Sequence, residues 1–533
     1  MNKPDSKSHL ILAIDFGTQS VRALAYAQSG ECRAKHQLPI DHYQHPEPGW
    51  TEHDVEGFWA LLTATCQGLW AQGVDPAEIA AVVVTTQRAT VINLDERGRP
   101  LRPAIIWTDQ RRTPPRGRLP RLWRVLFALL RIRPIVENLE AEAEANWLER
   151  HQPDLLAQTA HYLLLSGYLN YRLTGEFKDS SGSQVGYVPF DFKKQDWCAD
   201  SDWKWHSMAI KRYMLPTLAE VGEILGAITS EAAEATGLPV GVPVIAGAAD
   251  KACEVLGVGA LEAGVASVSC GTTATINTTR SKYVEVVPFM PAYPAALRGH
   301  FNTEVQVFRG FWMVSWFLEQ FGEAERRQAE ERGVLAETLL DELLAQTEPG
   351  ADGLVLQPFW NPVLGETGPE GRGSIVGFKD FHTRAHFYRA LIEGLAFALR
   401  SGKERIERRT KTPVTGIRLS GGGAQSDQVT QIMADVLNLP VERFDDCEAS
   451  GRGAAMVGAA AVGWYPSIEA ACFAMVGKSE RVEPNQQTAE CYSHIYQQTY
   501  CRLYPTLKGI FSRLNAETLR ADPRADGRRG RKA

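Results

Sequence analysis

An α/β protein of at least two domains with mixed sheets is predicted by three observations. Strand-like apolar runs alternate with helical patterns along most of the chain, and its 533 residues exceed what one core usually organises. A strand–Gly–Thr–strand turn also occurs once in each half. The first turn, Gly17-Thr18-Gln19-Ser20, follows the apolar run Leu10 to Phe16 and leads into a second strand from Val21. A helix is read from Val55 to Ala71. Buried strands follow at Ile79 to Thr86 and Ala104 to Trp107, with turn chemistry at Asn93 to Pro100 marking a hairpin tip. A helix over Glu140 to His151 and a strand over Val242 to Gly247 close the first half. The second turn, Gly271-Thr272-Thr273, joins Ala266–Cys270 to Ala274–Ile276. Beyond it come a helix over Ala385 to Arg409, a strand at Ile417 to Ser420 and a helix over Asp427 to Leu437. Glu448 to Ala460 reads as a small-residue helix made for close packing. Gly257 to Gly264 separates the two patterned regions, giving domains at 1–262 and 263–515. The stretch 516–533, basic and poor in apolar residues, is expected to be a disordered tail.

Composition narrows the function. Hydrophobic content of 44%, charged content of 23% and a net charge of −6 give no reason to expect nucleic acid as partner. Nine cysteines without C-x-x-C spacing fit a reduced, cytoplasmic setting. The polar first residues do not read as a signal peptide, and no apolar run is long enough for stable membrane insertion. Arg111 to Arg133 interleaves arginines with Leu122, Trp123, Val125, Leu126, Phe127, Leu129, Leu130 and Ile132. The favoured reading is a surface helix packing its apolar side on the domain; contact with a membrane or an anionic ligand is the alternative. The oligomeric state stays open, a homodimer being one alternative.

The residues that carry chemistry point to phosphate. Two Gly-opened turns let backbone N–H groups and hydroxyls converge on phosphate oxygens, one jaw from each half. Asp15, present in only one jaw, is the candidate ligand for Mg²⁺. No G-x-x-x-x-G-K-[ST] and no G-x-G-x-x-G after a strand occurs. The nucleotide site is instead sought at Ser420-Gly421-Gly422-Gly423-Ala424-Gln425-Ser426, where a strand runs into a helix N-terminus. Asp250 ends a buried strand and opens the next helix; it reads as a general base for an attacking hydroxyl or as a helix cap. Gln87 and Arg88 follow a buried strand and so face its carboxyl end, where open α/β sheets bind ligands. Trp107 offers a face for a sugar or polyol to stack on, core packing being the other reading.

Taken together, these motifs resemble the FGGY carbohydrate kinase family, in order, from about Leu10 to Asn515. The set is D-x-G-T-x-S at 15–20, G-W-x-E-H-D at 49–54, T-Q-R-x-T at 86–90, I-x-W-x-D-x-R at 105–111 and Y-L-x-Y-R-L-T-G-E at 168–176. It continues with G-A-A-D at 247–250, C-G-T-T at 270–273 and S-G-G-G-A-Q-S at 420–426. The resemblance implies two ribonuclease-H-like domains of the actin/hexokinase type, closing on ATP, Mg²⁺ and a sugar or polyol. It implies Asp250 as catalytic base, Asp15 near the metal and Thr18 with Thr272 at the phosphates. Gly422, Gly423 and Ser426 would lie beside the adenosine. The substrate motifs depart from the pattern. The Gln87-Arg88 pair looks most like the glycerol kinase branch, but Ala89 stands where that branch has a glutamate that binds substrate hydroxyls. Lys251 stands where it has a glutamine, and the Met-His pair typical of xylulose kinases is missing. A sugar, sugar acid or polyol is expected, an anionic one if Lys251 and Arg88 both face it. Arg309-Gly310-Phe311-Trp312 is bulkier than the family's small residues there. A non-catalytic sugar- or nucleotide-binding regulator, glycerol kinase proper and an actin- or chaperone-like ATPase are the alternatives.

Overall fold

The computed structural model describes residues 9–288, 290–362, 367–444 and 448–521. Its two main sheets are built alike. In the first, β1 (Leu10–Phe16), β2 (Ser20–Ala27) and β3 (Cys32–Pro39) form an antiparallel meander. β4 (Ile79–Thr86) lies parallel beside β1, and β5 (Ile224–Ala227) and β6 (Pro243–Ile245) complete the order β5-β6-β4-β1-β2-β3. The second sheet repeats this with β7 (Val265–Cys270), β8 (Ala274–Arg280), β9 (Tyr293–Pro294), β10 (Phe301–Val307), β11 (Gly416–Ser420), β12 (Val441–Phe444) and β13 (Ser479–Val482). Their order, β9-β10-β8-β7-β11-β12-β13, repeats the meander and the parallel strand beside it; it adds the edge strand β9, and its last two strands follow the chain in the opposite order to β5 and β6. The β1–β2 and β7–β8 turns, which carry the two Gly-Thr pairs, therefore occupy equivalent corners of two related sheets.

Local chemistry explains the elements that hold the site. β1 is buried along its whole length, which its nearly unbroken apolar run requires of a central strand. α1 (Val55–Trp70) buries Val55, Phe58, Trp59, Leu62, Cys66 and Leu69 on one face against the first sheet. α2 (Arg121–Leu129) departs from the packing expected of it. Only Phe127 is buried there, edge-on to Trp203 at 5.2 Å, while Leu122 and Leu129 are 78% and 77% exposed. Trp123 and Phe127, four residues apart, form the docking face; Leu122, Val125, Leu126 and Leu129 lie round the helix from it and stay in solvent.

α3 (Asp250–Gly257) starts just beyond β6, and α4 (Arg384–Thr410) backs the second sheet. α5 (Asp427–Leu437) has the bounds expected of it, and α6 (Ala449–Ala461) packs tightly on α3 and on the first sheet. A Cβ on Gly453 would sit 1.9 Å from the Cys253 carbonyl oxygen, and one on Gly257 1.9 Å from that of Ala449. Only glycine permits this backbone approach. Gly453→Ala is expected to cost about 1–3 kcal/mol through overpacking, read as a lower urea midpoint.

No disulfide links any two of the eight described cysteines. Among the described residues no helix is long and apolar enough to cross a membrane. Of the tail expected from 516 onward, 516–521 belong to the last helix and 522–533 lie outside the described residues.

Candidate active site

The first turn is closed by the Gly17 N–H donating to the Ser20 carbonyl at 3.0 Å. Ile40 N–H reaches the Gln19 carbonyl at 2.8 Å, and the Tyr43 hydroxyl donates to the Thr18 carbonyl at 2.6 Å. Trp107 is not core: it is 36% exposed and its indole N–H donates to Thr18 Oγ1 at 2.9 Å. A buried ion network holds the Trp107 loop. Arg111 binds Asp109 at 2.8 Å and Glu52 at 2.7 Å, between the rings of Trp50 and Trp147 at 4.2 and 4.6 Å. Glu52, Asp109 and Arg111 of these two motifs thus hold a loop in place.

Asp15 ends β1 beside this turn. Its Oδ2 accepts from Arg22 at 3.0 Å, while its Oδ1 is buried and has no partner among the described residues. Burial pushes its carboxyl up to about 7, Arg22 opposing the rise and Asp250 and Glu448 adding to it.

The adjoining wall is made at the end of β4, with Thr85 in register beside Asp15. Thr85 Oγ1 donates to the Ala248 carbonyl at 2.8 Å and Gln87 N–H to the Phe16 carbonyl at 2.7 Å, bringing the ends of β1, β4 and β6 together. The Gln87 side chain is buried beside the Tyr43 hydroxyl. Arg88 projects across to the second half. Both its terminal nitrogens lie 3.1 Å from Glu304 Oε1, and its guanidinium is 5.1 Å from the Tyr293 ring centre. Asp250 is the first residue of α3 and not its cap, which is Ala249. Its carboxylate accepts the Lys251 N–H at 2.7 Å. Burial raises its proton affinity, with Arg88 and Lys251 pulling the other way.

Lys251 does not turn to that wall. Its ammonium donates to Glu254 at 2.7 Å and to Ser269 of β7 at 2.8 Å, and Ser420 of β11 donates to the same Glu254 at 2.6 Å. Lys251, expected at the substrate, here ties α3 to the second sheet.

The second turn and the glycine run touch each other. Gly421 has φ +85°, and a Cβ there would lie 2.8 Å from the Cys270 carbonyl carbon. Phe311 fills the space against Gly423 and donates its N–H to the Gly271 carbonyl at 3.0 Å. Gly422 has open space around it, and Cβ atoms on Gly17 or Gly271 would meet nothing nearer than 3.5 Å. The fold itself does not need these three to be bare, so they leave room for an incoming group. Ser426 caps α5, accepting the Val429 N–H at 3.0 Å, and bonds Asp341.

Glu304 and Tyr293 were not found from sequence. One signal was present: Asn302, Glu304 and Gln306 alternate along β10, a polar face on an otherwise buried strand.

Models of the FGGY family of carbohydrate kinases match both halves, the N-terminal domain over residues 10–257 and the C-terminal domain over 266–462. The chain belongs to the FGGY family of carbohydrate kinases. It is 28% identical over 512 residues to an uncharacterized sugar kinase, YgcE, of Escherichia coli K12, covering 95% of this chain and 94% of that one. Similarity to a xylulose kinase of Lactococcus lactis is 27% over 502 residues (91% and 95%), and to a glycerol kinase of Dechloromonas aromatica 28% over 495 (90% and 94%). The solved xylulose kinase of Rhodospirillum rubrum superposes with a TM-score of 0.77 at 26% identity, over 94% of this chain and all of that one. An FGGY kinase is a phosphotransferase with the two-domain actin/hexokinase-like fold that phosphorylates a sugar with ATP.

Proposed function

We propose that this kinase moves the γ-phosphoryl group of ATP to a hydroxyl of a neutral ketose or polyol, with Asp250 as general base. The carrying observation is that both cations on which an anionic substrate would rest are already matched, Arg88 by Glu304 and Lys251 by Glu254. A substrate carboxylate would meet Glu304 and Asp250 as like charges. Neutral hydroxyls instead donate to those carboxylates and accept from Arg88. Glu304 also supplies, from the opposite half, the carboxylate that Ala89 lacks. Relatives that carry the names xylulose kinase and glycerol kinase support this choice.

In the step itself the substrate oxygen bonds to the γ-phosphorus, the bond to the β–γ bridging oxygen breaks, and the hydroxyl proton passes to Asp250. Burial keeps that carboxylate basic enough to take it. Gly17, Thr18, Gln19 and Ser20 on one side, with Gly271, Thr272 and Thr273 on the other, hold the phosphates. Gly422, Gly423 and the α5 N-terminus capped by Ser426 take the adenosine side. Gln87, Arg88 and Trp107 orient the substrate. Two halves joined at this cleft can exclude the water that would otherwise take the phosphoryl group.

Asp15 fits Mg²⁺, since it offers one buried, unpartnered oxygen and such ions are commonly held by one or two carboxylates and phosphate oxygens. When bound, the ion offsets charge on the phosphates. Asp15→Asn is expected to leave metal-free protein as stable as the wild type or more so, because a costly buried charge is removed. Turnover falls by about 100-fold or more. Thermal unfolding and steady-state rates read the two effects separately. The setting proposed is the cytoplasm.

The substrate class is tested by ADP release with ATP against glycerol, longer polyols, pentuloses and hexuloses, and the matching aldonates. A neutral compound is expected to give the highest kcat/KM; an aldonate as best substrate contradicts the reading.

A further inference from the structure

We propose that Arg309, carried by the second half, binds the phosphates of the nucleotide and stabilises the phosphoryl group as it is transferred. The inference rests on the kinase reading above and adds a residue to it.

Backbone strain is the first reason. Arg309 has φ +60°, a left-handed conformation that costs a non-glycine residue about 1 kcal/mol or more. Such strain persists only where the surroundings impose it, and here they do. The neighbouring Gly310 is pressed so closely on β8 that a Cβ would lie 2.2 Å from the Ala274 nitrogen. Phe311 N–H then donates to the Gly271 carbonyl at 3.0 Å and Trp312 N–H to that of Thr272 at 3.4 Å. The turn bearing Arg309 is clamped onto the second phosphate turn through both of its Gly-Thr carbonyls.

Position is the second reason. The Arg309 side chain lines a cleft of about 590 Å³ together with Thr18, Tyr43, Trp50 and Gln110 of the first half. The cleft joins the first Gly-Thr turn to the residue anchored on the second. A phosphate chain held between the turns passes within reach of a guanidinium placed there.

Charge is the third. A triphosphate brings several negative charges, and transfer spreads charge over the γ-oxygens without removing it. The other cations around the turns are matched: Arg22 by Asp15 and Glu448, Arg88 by Glu304, Lys251 by Glu254. Arg309 is exposed and forms no ion pair among the described residues. Its guanidinium rests over the Trp312 ring at 4.8 Å, which leaves its N–H edge available. Among the described residues Glu47 is the one carboxylate lining the same cleft, and it belongs to the opposite half. An arginine fork suits two phosphate oxygens at once, and a tight backbone turn limits the entropy lost in aiming it.

The experiment compares the full-length wild type with Arg309→Ala, Arg309→Gly and Arg309→Lys. Turnover is measured on the best neutral substrate, and AMP-PNP and AMP binding by calorimetry. Arg309→Gly relieves the left-handed strain, so its melting temperature is expected to equal or exceed that of the wild type. Its kcat and that of Arg309→Ala are expected to fall about 100-fold or more, with sugar KM little changed. AMP-PNP binding weakens about tenfold while AMP binding is unaffected, and guanidinium in the buffer restores part of the Arg309→Gly rate. Arg309→Lys falls between, since a point charge replaces the fork. Wild-type-like kcat in both Arg309→Ala and Arg309→Gly overturns the proposal and leaves the kinase reading standing. A wild type that phosphorylates no sugar, polyol or aldonate overturns the kinase reading; Arg309 as a phosphate ligand then stands or falls on AMP-PNP against AMP.

Discussion

Asp250→Asn is expected to bind ATP nearly as well as the wild type and to lose roughly 10²–10⁴-fold in kcat, the range for removing a positioned general base. The geometry makes the two effects separable. Asp250 sits at the start of α3 and, among the described residues, its carboxylate accepts only the neighbouring Lys251 N–H, a bond that the asparagine carbonyl oxygen reproduces. The helix start, the Lys251–Glu254–Ser269 pin and both phosphate turns are untouched. Basicity alone disappears. The amide also removes a buried negative charge, so stability is expected to hold or rise. Isothermal titration with ATP, a thermal melt and a coupled rate assay read the three quantities. Loss of nucleotide binding together with kcat would mean that Asp250 shapes the site and does not act as its base.

Arg88→Ala has the second largest expected effect, because it breaks a pair spanning the halves. Glu304 has a side chain only 2% exposed, against 18% for Arg88. Removing the guanidinium strands a carboxylate away from water, which costs about 3 kcal/mol, the lower end for a partner with some solvent access. Turnover is expected to fall as well, since the donor proposed for the substrate hydroxyls is lost. Arg88→Met combined with Glu304→Leu separates the contributions: stability returns most of the way because no unpaired charge is left, while activity stays lost. Denaturant midpoints of the two singles and the double form the cycle. A double variant as unstable as Arg88→Ala would show that the pair's charge balance is not what the fold depends on there.

How much of this was legible in the sequence depends on how local the signal is. The two turns, the Asp427–Leu437 helix and the close-packed helix at 449–461 rest on short-range chemistry, glycine between strands, a serine cap and a run of small residues, and each lies where it was read. Arg88 was visible as a candidate because it follows a buried strand, but its partner Glu304 is 216 residues away. No local pattern links them; only the closure of two sheets on one another does. Lys251 is a mixed case: Glu254 lies one helical turn away, while Ser269 is reached only through the packing of α3 on the second sheet. Its position beside Asp250 suggested the substrate, whereas Ser269 and Glu254 draw its flexible stem toward the second sheet. The apolar side of Arg121–Leu129 was assigned to packing by its periodicity, which reports amphipathicity and not what covers the apolar face. The four-strand plan common to both sheets has no sequence pattern of its own, because the halves share only their turn motif at the level of residues.

The most direct test of the central claim, phosphoryl transfer from ATP to a hydroxyl in this cleft, is phosphorus-31 NMR of wild-type protein incubated with ATP, Mg²⁺ and the best neutral substrate. A phosphomonoester resonance rising in step with ADP, and absent with Asp250→Asn, is the predicted result. ADP formed with inorganic phosphate alone, or an ester formed equally fast by Asp250→Asn, would contradict it.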